Sequence, residues 1–298
     1  MQGPAARKQQ GPVTKEPMKR VLFFILLAAV MLSPSCGRRA TKQEAAGPSL
    51  YTELDRPQVD LRDFPKDAEG FRVLFDGTSF RGWRGYCQDG IPVKWTIEDG
   101  CLKFNGTTGR ETPDDGGGDL IFTRKFKDFE LRFDWKVTEG ANSGVLYLGR
   151  EVTMTGRDGQ SRFAPLFMSA PEYQILDNEN HPDAKLGVDG NRQSASLYDL
   201  LPARPQNAKP YGEWNTAAIR VRRGRVTHYQ NGEPVVEYRL WTQDWTDLLN
   251  TSKFAQDKWP LAFELFNNLG GDAHEGYIGF QDHGDIVYFR NIRIKVLK

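Results

Sequence analysis

Seven residues, Pro-Glu-Tyr-Gln-Ile-Leu-Asp at 171–177, place two carboxylates and an amide close together. In an extended chain, side chains alternate between two faces, so Glu172 and Gln174 share one face and Asp177 takes the other. A carboxylate facing a sheet surface can act as a general base, its pKa set by burial and neighbours, or can form a structural ion pair with Arg132 or Arg290. A glycosidase pair must flank one bond at roughly 5–10 Å on one side. Glu172 and Asp177 meet that condition only if a bulge reverses the parity. The Glu-x-Asp-x-x-Glu pattern of sandwich-fold glucanases is absent from the chain, which argues against an ordinary two-carboxylate hydrolase.

Two histidines are candidate proton shuttles: His228 in the middle of the strand Val226–Gln230, and His283 in the turn Gln281-Asp282-His283-Gly284-Asp285. Their plainer readings are a hydrogen-bonded sheet residue and a turn residue. His181 and His274 read as solvated loop residues. No two histidines have a metal-ligand spacing, so no zinc site is expected; Asp282 and Asp285 could bind calcium or simply close a turn. Trp214 is the tryptophan best placed to stack on a sugar ring, the others reading as core. No Gly-x-Ser-x-Gly elbow or phosphate loop is present.

These groups need strands to hold them. Phe129–Val137 alternates strictly: Leu131, Phe133, Trp135 and Val137 share one face, and Glu130, Arg132, Asp134 and Lys136 share the other. That is a strand with one buried face and one ladder of fixed charges. Carboxylate, amide and guanidinium groups fixed over a common surface suit a carbohydrate. About a dozen short strands follow from such runs and from the hairpin turns Asp99-Gly100 and Asn231-Gly232. Residues 151–168 read as a long loop, 261–266 as a strand, and 241–256 as the single short helix. The expected architecture is all-β: a two-sheet sandwich.

The chain has 298 residues and a formal charge of +1. Met18-Lys19-Arg20, the apolar run 21–32 and Ser33-Pro34-Ser35-Cys36 form a signal peptide too short to span a bilayer. Cys36 sits where a bacterial lipoprotein is acylated, although Leu32 and Pro34 depart from the usual pattern; the alternative is a plain secretory signal. Residues 1–17 look like an unused upstream start. Without residues 1–35 the chain carries 35 basic and 38 acidic residues, so no nucleic-acid partner is indicated. The expected layout is leader 1–35, tether and lead-in 36–70 and one domain, 71–298, held at the cell envelope by a lipid as a periplasmic or outer-membrane protein. Cys87 and Cys101 are either buried thiols or a disulfide.

Several motifs occur together in a fixed order. They are Leu74-Phe75-Asp76-Gly77 with Gly82-Trp83, the strand at Phe129–Val137 with Asn142-Ser143-Gly144, the 171–177 segment, and Gly212-Glu213-Trp214-Asn215. His228 before Asn231-Gly232 and 281–284 with Phe289-Arg290-Asn291-Ile292 complete the set. In these motifs the chain resembles the 3-keto-disaccharide hydrolase domain over 71–298. The resemblance implies a concanavalin-like jelly roll and cleavage of glycosides already oxidised at C3. A C3 ketone acidifies the C2–H, so a base can remove that proton as the C1 aglycone leaves, and water can then add back. On that chemistry Glu172 or His228 is the base and the other, or His283, the acid. Arg290 and Asn142 would hold the ketone or enolate, with Arg132, Asp134, Gln174, Asp177 and Trp214 as further sugar contacts. A divalent cation could serve the enolate instead, no cofactor being required. The competing class is a non-catalytic carbohydrate-binding module on the same fold.

Overall fold

The structure, a computed structural model, describes residues 50–106, 117–156 and 158–298. The leader and Cys36 lie outside the described residues, as does most of the glycine-rich stretch at 114–118.

In chain order the strands are β1 (Tyr51–Glu53), β2 (Arg72–Val73), β3 (Trp83–Gly85), β4 (Trp95–Glu98), β5 (Cys101–Phe104), β6 (Leu120–Phe126), β7 (Phe129–Val137) and β8 (Asn142–Gly149). They continue with β9 (Val152–Thr155), β10 (Ser161–Phe163), β11 (Glu172–Leu176), β12 (Asn215–Arg222), β13 (Arg225–Gln230), β14 (Glu233–Arg239), β15 (Gly276–Phe280) and β16 (Val287–Val296). Two helices, α1 (Gln243–Asn250) and α2 (Pro260–Asn267), lie between β14 and β15.

A large antiparallel sheet runs β14-β13-β12-β7-β16-β5-β4, with β2 also on β16; a smaller one runs β11-β8-β15-β6-β3. They stack face to face as a jelly-roll sandwich. The alternation in β7 is what makes this possible. Its five apolar residues are buried and its four charged ones only partly so. Phe133 and Phe289 of the large sheet meet Phe280 of the small one at ring-centroid distances of 6.2 and 4.3 Å. The core therefore sits between β7–β16 and β8–β15.

Three segments differ from the sequence expectation. Residues 261–266 belong to α2, not to a strand: Pro260 suits the first turn of a helix, and Ala262, Leu265 and Phe266 bury one face at helical spacing. The run is so apolar that a period of two could be read into it. Helix α1 is shorter than 241–256 and is capped at its start by Thr242, whose hydroxyl accepts from Trp245 N at 3.2 Å. The stretch read as a long loop holds β9 and β10, which with β1 make a third, three-stranded sheet. The segment before residue 71 thus joins the folded body. Cys87 and Cys101 are both free and buried.

Candidate active site

The small sheet has an inner face on the core and an outer face of its own. In β11, Tyr173 and Ile175 turn inward while Glu172 and Gln174 turn outward. Their register partners in β8 are Leu146 for Glu172 and Gly144 for Gln174. A second, small apolar cluster (Ile121, Leu146, Leu166, Ala170 and Tyr277) covers part of this outer face. Beside it a pocket of about 180 Å³ opens, floored by β8 and β11 and roofed by Phe167, Phe254, Phe266 and the 197–200 segment.

Glu172 is the only carboxylate lining this pocket among the described residues. Burial pushes its pKa up to about 8, against the pull of nearby Lys253. Gly144 makes its position possible, since a Cβ there would stand 2.2 Å from Glu172 Oε1. In the orientation that satisfies both neighbours, the Gln174 amide nitrogen donates to Glu172 Oε1 at 2.8 Å and to Ser143 O at 3.0 Å. The Gln174 oxygen then faces Asn142 at 3.3 Å, and with the Asn142 amide turned likewise its nitrogen donates to Gln174 while its oxygen accepts from His283 Nε2, 3.3 Å away. Glu172, Gln174, Asn142 and His283 thus form one continuous polar line, with exposed His283 at its outer end.

Facing this line are residues the sequence did not single out. Lys253 follows α1, and its ammonium stands 4.4 Å from the Tyr198 ring centroid and 5.0 Å from that of Phe254. Burial holds its pKa below the usual lysine value. Gln281 is buried, and its Oε1 accepts no hydrogen bond among the described residues, as suits an acceptor for a substrate hydroxyl. Gln281 stood in a motif noted for its turn; Lys253 is one lysine among many, with no local signal to mark it.

The other expected site residues lie elsewhere. His228 is fully buried between the sheets: Nδ1 is 2.8 Å from Ala195 O, Nε2 2.7 Å from the Tyr147 hydroxyl, and Tyr238 follows in the same chain. Burial drives its pKa down to about 4, so it is a neutral core residue without access to substrate. Arg132, Asp134, Arg290 and Trp214 belong to the outer face of the large sheet, across the whole sandwich from Glu172. There Arg290 Nε meets Asp134 at 3.2 Å and its guanidinium stacks 3.9 Å from the Trp214 ring, while Arg132 pairs with Glu69 and Glu130. Arg132, Asp134 and Arg290 border a separate groove of about 950 Å³. Asp177 is a turn cap. Burial opposes its ionisation, but donors from Gly140 N (2.8 Å), Asn180 Nδ2 (2.8 Å) and Glu179 N (3.1 Å) outweigh that and lower its pKa. Asp282 and Asp285 likewise accept from backbone: Gly118 N at 2.7 Å and Asn142 N at 3.0 Å. Among the described residues no three His, Cys, Asp or Glu side chains group as a metal would require.

Comparison with known proteins agrees with this architecture. Residues 70–295 match the 3-keto-alpha-glucoside-1,2-lyase-like domain. A protein of Bacteroides thetaiotaomicron named 3-keto-disaccharide hydrolase is 57% identical over 289 residues, covering 94% of this chain and 100% of that one. A crystal structure of a candidate glycosyl hydrolase from Parabacteroides distasonis superposes with a TM-score of 0.61 at 30% identity, over 78% of this chain and 95% of that one. A second from the same species, at 23% identity, shares the fold with a TM-score of 0.52 over 76% and 99%. The chain therefore belongs to the 3-keto-alpha-glucoside-1,2-lyase-like domain family.

Proposed function

We propose that the protein cleaves 3-keto-glycosides by removing the C2 proton and expelling the C1 aglycone, followed by addition of water. The observation that carries this reading is that Glu172 is the single carboxylate lining the pocket among the described residues. A hydrolase acting on an unoxidised glycoside needs two carboxyl groups astride the bond. A C3 ketone needs one base, because the carbonyl already makes the C2–H acidic.

Glu172 is the base. Its electron-rich carboxylate, costly to keep ionised in this pocket, gains from taking a proton. As the C2–H bond breaks, the pair moves toward C3, where Lys253 is the group on hand to meet the developing charge. The pair returns to form C1=C2 as the C1 oxygen leaves. That oxygen takes its proton at the mouth, where exposed His283 stands beside Asn142. Water then enters and adds at C1, and the Glu172 carboxyl, its proton exchanged with solvent, returns one to C2, giving net hydrolysis. Gln174 fixes the carboxylate, and Gln281 accepts from a ring hydroxyl. A cavity of about 180 Å³ lies below the roughly 300–1,000 Å³ of drug-sized sites, in keeping with one sugar ring held and the aglycone outside.

The basic leader, apolar run and Cys36 support a lipid-anchored protein of the cell envelope, facing glycosides oxidised before they reach it. The test is a paired assay with one glucoside and its 3-keto derivative. Aglycone release from the keto compound alone is the expected result; equal release from both would mean that the ketone is irrelevant.

A further inference from the structure

Three rings surround the Lys253 ammonium: Tyr198 at 4.4 Å, Phe254 at 5.0 Å and Phe167 at 5.9 Å from their centroids. No ion pair holds it among the described residues, whereas buried Arg84 and partly buried Arg192 each have carboxylates at 2.6–2.9 Å. Its backbone is anchored, however. Lys253 N donates to Asp199 Oδ2 at 3.2 Å, Arg192 ties Asp199 to Asp183, and Asp183 fixes the Tyr198 hydroxyl at 2.8 Å. A lysine whose backbone is pinned, whose amine is in no ion pair among the described residues and which lines the same pocket as the Glu172 base has that amine placed to reach a bound carbonyl. Burial also lowers its pKa, which enlarges the share of free amine.

We propose that Lys253 binds the C3 ketone covalently as an imine, so that its nitrogen is the electron acceptor for C2 deprotonation. This rests on the reading that the substrate is a 3-keto-glycoside. The free amine adds to C3, and the ketone oxygen leaves as water with one proton from the amine and one from the Glu172 carboxyl, giving a protonated imine beside the Glu172 carboxylate. Glu172 takes the C2 proton, and the C–H pair becomes the C2=C3 bond of a neutral enamine. The enamine pair then expels the C1 oxygen, which departs with a proton, leaving a C1=C2 bond conjugated to the protonated imine. One water adds at C1 as C2 is reprotonated, and a second hydrolyses the imine, restoring ketone and amine. One water is released and two are consumed, which is net hydrolysis without any redox step. A protonated imine withdraws electrons more strongly than a ketone, so the base faces a more acidic C–H.

The experiment is reductive trapping: intact enzyme, a 3-keto-glucoside and sodium cyanoborohydride, followed by intact-mass and peptide mass analysis. One sugar-derived adduct on Lys253, progressive loss of activity, and loss of both adduct and turnover in Lys253→Arg are expected, since arginine keeps the charge but cannot form the imine. Wild-type enzyme that cleaves substrate without an adduct at Lys253, or with adducts only on surface lysines, overturns the imine and leaves keto-glycoside cleavage standing. So does Lys253→Arg turning over at the wild-type rate. Wild-type enzyme that neither cleaves nor is modified overturns the imine together with the reading beneath it.

Discussion

Glu172→Gln is expected to lose roughly 10²- to 10⁴-fold in kcat, the range of a general base, while melting at a higher temperature than the wild type in alkaline buffer. Both effects follow from one fact, that burial raises this carboxyl's pKa from about 4.5 to about 8. In the unfolded chain the group ionises near the lower value; in the folded protein it resists until about 8. As pH rises between these values, the unfolded state gives up its proton first, so folding stability falls across that window. Glutamine is never charged and escapes this cost. The two proteins should melt together near pH 4, with the variant ahead by several degrees at pH 9. For the wild type, kcat/KM should rise as pH climbs through about 8, where the basic form accumulates. Differential scanning calorimetry and a pH–rate profile check the two halves. A variant less stable than wild type at pH 9 would mean that Glu172 is a structural partner and not a strained base.

The second large effect is on folding. Glu151 is fully buried, with Oε1 and Oε2 each 2.6 Å from the Arg84 guanidinium, and Oε1 also accepts from Cys87 N at 2.6 Å. Arg56 adds a weaker contact at 3.8 Å. Glu151→Ala leaves the Arg84 charge buried without its partner, which costs about 3–5 kcal/mol. At about 2–4 °C per kcal/mol for a domain of this size, the melting temperature should drop by roughly 10 °C. The double replacement Arg84→Met/Glu151→Met removes both charges and should recover most of the loss. Thermal melts of the three proteins check this; an unchanged melting temperature in Glu151→Ala would show that water reaches the pair. Neither residue lines the pocket, so activity per folded molecule should change little.

The two cases also show which parts of the molecule could be read from the chain. Period-two alternation in 129–137 was enough to give β7 and its buried face, and face parity in 171–177 was enough to pair Glu172 with Gln174. What a single strand does not encode is the sheet it joins. The charges of β7 looked like companions of Glu172, yet β7 lies at the middle of the large sheet and β11 at the edge of the small one. Their outer faces point away from each other, with the core between them. Arg290 and Trp214 go with β7 for the same reason. His228 alternates with Val226 and Gln230, which are buried too; its parity is that of the core, and only pairing with Tyr147 from the opposite sheet reveals its role. Lys253 reaches the pocket through tertiary packing of the segment after α1, which leaves no periodic trace. α2 was misread because a helix apolar on nearly every side carries little periodicity of either kind.

The claim on which the mechanism depends is that Glu172 exchanges the C2 proton of a 3-keto-sugar. Wild-type enzyme should be given a 3-keto-glucoside in deuterium oxide and stopped early, and the released 3-keto-glucose analysed by NMR against an enzyme-free control. The account predicts one deuterium at C2, and none above the control with Glu172→Gln. Full aglycone release with hydrogen retained at C2 would contradict it.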